Sequence, residues 1–311
     1  MTSSLSSFQS PHVTVRVPAK INLQLSVGPL KNTGYHEIAT IFHSISLFDE
    51  VTVSKVKSGS EHLSISGVGA SELPVNQDNL AHKAIREVAK YVEHPINARI
   101  HIDKSIPIAG GMAGGSADAA AVLVAVNYLW KLNLDSEQLV KIASQVGSDV
   151  AFLLIGNTQM GLGRGEKLTP VLTRGEFNWV VATNRGGLST SEVYKVCDEL
   201  RANQEVAAPE INKNLVQALA GGNVNQVAQN LSNDLQIAAL KLKPELKHLL
   251  QAGEEFGALA SLVSGSGPTC IFLSETKNTA QNLAVDLSSS GLCKNVLVAS
   301  GPVPGAKILA D

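Results

Sequence analysis

The sequence predicts an α+β fold in two lobes, from its length, from a strand, loop and helix succession in the first half, and from a second such mixture in the rest. At 311 residues the chain reaches the size at which one hydrophobic core usually divides. Val13, Val15 and Val17 alternate, and Ile21, Leu23, Leu25 and Val27 alternate again, as in half-buried strands. Past Pro170 a new series of strands and helices begins, of the kind that forms a second sheet with helices on one face. The expected boundaries are a frayed tail at 1–12, a first domain at 13–172 and a second at 173–311.

Taken in order, the first two strands are expected to meet near Pro18, and their alternation sets Lys20 and Asn22 opposite the apolar series. Lys31-Asn32-Thr33-Gly34 reads as a turn, and Tyr35-His36 opens a run to Phe48. Further strands are expected at 50–56, 62–66 and 98–102. Asp78-Asn79 can cap a helix over 80–91, where Leu80, Ala84, Val88 and Tyr91 form one stripe. Asp135-Ser136-Glu137-Gln138 has the form of a capping box for a helix carrying Leu139, Ile142, Ala143 and Val146. The apolar run 150–155 then predicts a buried strand, with Asp149 either a turn residue or a catalytic group at its mouth.

Gly161, Gly163 and Gly165 surround Arg164 in a flexible segment. The second half predicts a strand at 177–183, helices at 191–201, 226–231 and 244–252, and strands at 259–263 and 270–273 flanking the turn Ser264-Gly265-Ser266-Gly267-Pro268. A helix at 278–288 and a strand at 295–299 close the series, while mixed signals leave 202–222 as loop and short helix.

Composition excludes several classes. With 25 basic and 27 acidic side chains, and a formal charge of −2, no broad field attracts nucleic acid or a membrane surface. Cys197, Cys270 and Cys293 are odd in number and far apart, which suits neither a disulfide framework nor a zinc site and points to a reducing cytoplasm. The Ser-rich start lacks the basic flank and apolar core of a secretory signal. The apolar run 117–132 is shorter than the roughly 20 residues that cross a bilayer.

The strongest chemical signal is Pro107-Ile108-Ala109-Gly110-Gly111-Met112-Ala113-Gly114-Gly115-Ser116, which leads directly into an apolar helix. A tight turn needs one or two glycines, whereas four within six positions let the backbone aim its N–H groups at an anion beside the helix's own positive end. No Gly-Lys-Ser/Thr follows, so this is not the common P-loop. Nor is it a dinucleotide fingerprint, because the acid expected about 20 residues on is missing and Asp135 opens a new helix instead. A phosphate cradle of this type needs its cation and base from elsewhere. Lys20 can neutralise charge on a transferring phosphoryl group, Asp149 can take a proton, and a metal bound with the nucleotide can offset the rest.

Pro18-Ala19-Lys20-Ile21-Asn22-Leu23, Gly34-Tyr35-His36, the 107–120 segment, Gly147-Ser148-Asp149-Val150 and Ser264-Gly265-Ser266-Gly267-Pro268, in this order, resemble the GHMP kinase family. The resemblance spans 18–273 and implies an N-terminal lobe like ribosomal protein S5 domain 2, a ferredoxin-like C-terminal lobe and a ligand cleft between them. Pairing Pro-Ala-Lys-Ile-Asn with Gly-Tyr-His points to the branch that phosphorylates the 2-hydroxyl of a cytidine-diphosphate-linked methylerythritol with ATP and Mg2+, in non-mevalonate isoprenoid synthesis. In that pattern Asp149 is the base, Lys20 orients the hydroxyl and Asn22 contacts the substrate beside it. The loop residues Pro107, Ile108, Ala109, Gly110, Gly111, Met112, Ala113, Gly114, Gly115 and Ser116 wrap the ATP phosphates, with Asn79 and Lys104 on the nucleotide side. Tyr35 stacks on the cytosine, His36 meets its polar edge, and Tyr194, with Thr190 upstream, provides the opposite aromatic face. Gly265, Ser266 and Gly267 close the other side, and the metal's ligands are undefined.

The implied partner is this small molecule, with neither nucleic acid nor membrane, and the implied form is a monomer or weak homodimer. The alternatives are a family kinase acting on homoserine, mevalonate or a sugar, a decarboxylase of the superfamily, and a protein that binds nucleotide without transfer. The chain departs from the familiar loop in Ala113, Ala117 and Asp118, where the pattern has Gly, Ser and Asn. Asp118 suits the helix dipole but would repel phosphate, so it is expected to point away.

Overall fold

The structure, a computed structural model, describes residues 11–32, 34–108 and 110–310. Thr33 of the expected turn, Ala109 of the glycine loop and residues 1–10 of the expected tail lie outside them. The chain opens with β1 (His12–Leu30) and β2 (His36–Lys55), continues with β3 (His62–Gly67), and reaches helix α1 (Leu80–Tyr91) and β4 (Ala98–Lys104). Three helices follow, α2 (Gly114–Leu129), α3 (Ser136–Val146) and α4 (Ser148–Ile155), and then the hairpin β5 (Thr158–Gly163) and β6 (Lys167–Pro170). Next come β7 (Phe177–Thr183), α5 (Thr190–Arg201), α6 (Lys213–Gly221), α7 (Val224–Gln229), β8 (Ser232–Asn233), α8 (Gln236–Leu242) and α9 (Glu245–Glu255). The end is formed by β9 (Ala260–Val263), β10 (Cys270–Ser274), α10 (Lys277–Ser289), β11 (Asn295–Gly301) and β12 (Lys307–Ile308).

Two sheets result. The larger runs β12-β1-β2-β4-β3, with β5 and β6 extending from β2 and β8 alongside β1; the smaller runs β11-β7-β10-β9. β2 is long enough to serve two neighbours, pairing β5 over residues 38–43 and β4 over 50–55. The first strand does not divide at Pro18 as expected. It continues through the proline with a register shift between Pro18 and Ala19, where the missing N–H would otherwise break the ladder. Beyond the shift, Ala19, Ile21 and Leu23 enter the core, while Lys20, Asn22 and Gln24 are buried on the other face.

The run 150–155, expected as a strand, is the body of helix α4. A short apolar run does not distinguish a buried strand from a buried helix, and Val150, Ala151, Phe152 and Leu153 are enclosed around the helix. In the unassigned 202–222 segment, Asn212 caps α6 by accepting hydrogen bonds from the Asn214 and Leu215 N–H groups. The helix expected at 226–231 starts earlier, at Val224 under an Asn223 cap, and α8 is a helix the sequence reading omits.

Helix α2 is buried around most of its circumference, as its alanine-rich, unstriped sequence requires. It occupies the centre of the larger apolar cluster, which also takes Leu215, Ala218, Leu219 and Val227 from the second half of the chain. Strand β7 joins the two clusters, with Phe177, Trp179 and Val181 in the first and Val180 and Ala182 in the second. No helix among the described residues is long and apolar enough to cross a membrane.

Just before α2, Ala113 adopts φ 57°, ψ 35°, a left-handed conformation that costs an L-residue with a side chain roughly 1–2 kcal/mol. Glycine adopts it freely, so Ala113→Gly is expected to raise stability by about 1 kcal/mol. Denaturant unfolding checks this, and an unchanged or lower midpoint would show that the alanine is not strained.

Candidate functional site

The glycine loop, α4 and the 264–267 turn enclose a cavity of about 520 Å³. Pro107, Ile108, Gly110, Gly111, Ala113, Gly114 and Gly115 line it, together with Lys20, Asn22, Asp149, Thr190, Tyr194 and Gly265 to Gly267. Met112 of the same loop is instead buried at 1% exposure, and its carbonyl accepts the Lys20 backbone N–H at 3.3 Å. Ser116 sits outside the lining, in the first turn of α2. The loop's conformation differs from a run of four permissive glycines, because among its described residues the positive φ values fall at Gly111 and Ala113 while Gly114 and Gly115 are already helical. There the absent side chains leave the helix's first N–H groups open to the cavity.

The two glycine turns interlock. A Cβ on Gly111 would collide with the Ser264 carbonyl oxygen, and Ser264 Oγ donates to the Gly111 carbonyl at 3.3 Å. Opposite them, Lys20 Nζ donates to Asn22 Oδ1 at 2.7 Å and lies 3.8 Å from Asp149 Oδ2. Asn22 is held in turn, since its Nδ2 donates to Thr40 Oγ1 at 2.8 Å and that hydroxyl donates to the Gln24 carbonyl at 2.6 Å. Asp149 stands in the first turn of α4, where the helix dipole favours its negative charge, and its side chain keeps 28% exposure to the cavity. Phe42 packs beneath the lysine, with Nζ 5.3 Å from the ring centroid.

At the aromatic end, His36 Nε2 and Asp198 Oδ1 are 2.8 Å apart, and the His36 ring lies 5.0 Å from that of Tyr194. Burial, reinforced by the Asp149 charge, pushes the Tyr194 phenol up to about 12. Tyr194 is therefore a neutral hydrogen-bonding group at physiological pH. Tyr35 and His36 stand outside the cavity lining but adjoin it, His36 through Tyr194 and Tyr35 through Arg164, whose Cζ is 4.0 Å from the tyrosine ring centroid. Thr190 Oγ1 and Ser266 Oγ meet at 2.9 Å across the cavity rim. Asp198 escaped sequence reading, although its spacing of four from Tyr194 puts both on one face of α5.

Lys104 and Asn79 reach the cavity with their polar groups already engaged. Asn79 Oδ1 accepts the Ala81 N–H at 2.9 Å and its Nδ2 donates to the Pro74 carbonyl at 2.8 Å, which is the work of a helix cap. Lys104 Nζ lies 2.5 Å from Asp49 Oδ2 and 2.8 Å from Asp118 Oδ2, all three side chains being buried. Asp49 Oδ1 also accepts the Ser105 and Ile106 N–H groups. Asp118 thus turns toward Lys104, and its Oδ1 has no hydrogen-bond partner among the described residues. Burial lowers the Lys104 pKa, but the Asp118 and Asp49 charges outweigh it and hold the ammonium above its ordinary value. Burial raises Asp118 to about 7, with Lys104 opposing and the Asp49 charge adding to the rise.

With this geometry in place, the chain matches known proteins along its length. Residues 79–157 match the family described as GHMP kinases N terminal domain, and residues 215–291 that described as GHMP kinases C terminal. The chain belongs to the GHMP kinase family. A 4-diphosphocytidyl-2-C-methyl-D-erythritol kinase of Thermobifida fusca (strain YX) is 49% identical over 303 residues, covering 96% of this chain and 98% of its own. One of Nocardia farcinica (strain IFM 10152) is 48% identical over 305 residues, with 98% of each chain covered. A crystal structure of 4-(cytidine 5'-diphospho)-2C-methyl-D-erythritol kinase superposes with a TM-score of 0.75 at 31% identity, over 92% of this chain and 98% of that one. Mevalonate kinase of L. major superposes with a TM-score of 0.74 at 15% identity, over 98% of this chain and 99% of that one, which shows the shared fold.

The buried triad has a consequence for stability. Asp118 holds its proton to about pH 7 when folded, against 3.8 ordinarily, so the folded chain binds more protons between those values. The contribution of Asp118 to stability therefore falls as pH rises through that window. Asp118→Asn keeps an acceptor for Lys104 and removes the titration. Its unfolding midpoint, relative to the parent protein, is expected to climb between pH 4 and pH 7, and a difference independent of pH would contradict the assignment.

Proposed function

We propose that the chain transfers the γ-phosphoryl group of ATP to the 2-hydroxyl of 4-(cytidine 5'-diphospho)-2-C-methyl-D-erythritol, giving the 2-phosphate and ADP in non-mevalonate isoprenoid precursor synthesis. The observation that carries this reading is the approach of Lys20 and Asp149 to 3.8 Å in the cavity that the glycine loop lines. Nucleotide binding alone has no use for a carboxylate beside the acceptor. The relatives named for this activity, alike over nearly the whole chain, support the choice of substrate.

In this reading the backbone N–H groups from Gly110 to Gly115 and the N-terminal end of α2 receive the triphosphate. Asp149 accepts the proton of the 2-hydroxyl as its oxygen bonds to the γ-phosphorus, while the bond between that phosphorus and the leaving ADP oxygen breaks. Lys20, held in line by Asn22, orients the hydroxyl and balances the charge developing on the phosphoryl oxygens. Among the described residues no group of three or more His, Cys, Asp or Glu side chains is placed to hold a metal ion. Mg2+, entering with the nucleotide, would supply charge neutralisation at the phosphate oxygens. Tyr35, His36 and Tyr194 form the end that takes the cytosine, an amphipathic ring able to stack and to hydrogen-bond. The reaction is assigned to the cytoplasm, where Cys197, Cys270 and Cys293 stay reduced.

An ATP-consumption assay offering the cytidine-diphosphate-linked substrate, homoserine and mevalonate tests the assignment, with the phosphorylated position read by phosphorus NMR. Turnover is expected with the first alone. Asp149→Asn is expected to lower kcat by about 10²–10⁴-fold, the range of lost base catalysis, with substrate affinity kept within a few-fold. Near-normal turnover in that variant would remove Asp149 from the role. Tyr35→Ala is expected to weaken substrate binding by ~1–3 kcal/mol through lost stacking, and calorimetry showing unchanged affinity would reject it.

A further inference from the structure

Arg164 sits in the tight turn between β5 and β6, lines the cavity, and has no part in the chemistry assigned to Lys20 and Asp149. The sheet register explains its position. Gly163 pairs with Ile38, which brings the turn after β5 alongside the segment opening β2, and the guanidinium carbon comes to rest 4.0 Å from the Tyr35 ring centroid.

The turn is shaped to present this side chain. Gly163 at φ 75° and Gly165 at φ 100° occupy conformations that residues with side chains rarely adopt. A Cβ on Gly165 would press on Phe42, at 3.1 Å from Cζ, so the turn lies tightly against the ring that also supports Lys20. Glu166, the acid nearest in sequence, directs Oε2 to the Arg164 backbone N–H at 2.7 Å. It is thereby occupied in holding the turn, and no salt bridge among the described residues includes the Arg164 guanidinium. An arginine lying on an aromatic face is oriented by the ring quadrupole and still offers planar, paired donors that match phosphate oxygens.

We propose that Arg164 is a substrate-binding residue that engages the diphosphate of the cytidine-linked substrate and makes the site select a nucleoside diphosphate over the bare nucleoside. The inference rests on the function proposed above. In such a substrate the diphosphate joins the base to the reacting alcohol, and Arg164 is the cation shared by the aromatic end and the cavity that holds Lys20 and Asp149.

Competition experiments at saturating ATP test it, using cytidine, cytidine monophosphate and cytidine diphosphate as inhibitors of the parent protein, Arg164→Met and Arg164→Lys. Arg164 is exposed, so neither change disturbs the core. The parent is expected to bind the diphosphate at least tenfold more tightly than cytidine. Arg164→Met is expected to cut that ratio tenfold or more while the inhibition constant of cytidine itself stays within threefold, and Arg164→Lys to fall between. A ratio equal in the parent and Arg164→Met would overturn the inference and leave the nucleoside reading intact. Failure of every cytidine compound to compete in the parent would sink that reading and this inference with it.

Discussion

A lysine buried between two carboxylates fixes the loop on which the site is built. Lys104 ends β4, Asp49 belongs to β2 and Asp118 lies in α2, so the three side chains tie together the strand entering the glycine loop, its neighbour in the sheet and the helix leaving it. Asp49 adds backbone contacts to Ser105 and Ile106, at the loop's first bend. Buried charges are tolerated only when paired and hydrogen-bonded, and the pairing dictates where the loop's two ends stand. Gly114 belongs to the same constraint, because a Cβ there would lie 3.1 Å from Lys104 Nζ. The glycine thus serves close packing as well as the exposure of N–H groups.

The second organising fact is the division of β1 between core and chemistry. Every second side chain after Pro18 supports the central helix, and the alternate ones form a polar ladder of Lys20, Asn22 and Gln24. Gln24 holds the Glu210 carbonyl and the Asn212 N–H, so the ladder that includes Lys20 also anchors a crossing segment from the second half of the chain. Asn22 restrains the Lys20 side chain, and the Met112 carbonyl adds a backbone tie to the glycine loop. In the proposed transfer, a cation held in this way would lose little entropy as the anionic transition state forms.

Much of this was legible in the residues alone. The caps at Asn79 and Asp135 and the β7 span are legible with their observed boundaries because local patterns decide them, whereas alternation shows the faces of β1 and β2 but divides each strand where the structure has one. Helix α4 is not legible as a helix in the sequence, since a fully buried apolar run has no polar face to reveal its period. Family resemblance predicts the convergence of Lys20 with Asp149, whereas spacing alone leaves Asp149 open between turn and catalyst. Asp49 and Asp198 were invisible for a different reason. Each acts through a partner distant in sequence, Lys104 and His36 respectively, and only the folded sheet and helix bring those pairs together.

The pairing of β12 with β1 leaves one flank of the large sheet dependent on a long-range closure. Ile308 lies opposite Val15 and Lys307 opposite Arg16, so this ladder joins segments from the two halves of the chain. While β12 is undocked, the backbone N–H and C=O groups of β1 on that side form an edge able to accept a stray strand. Docking of a two-residue strand therefore shields the sheet from foreign pairing.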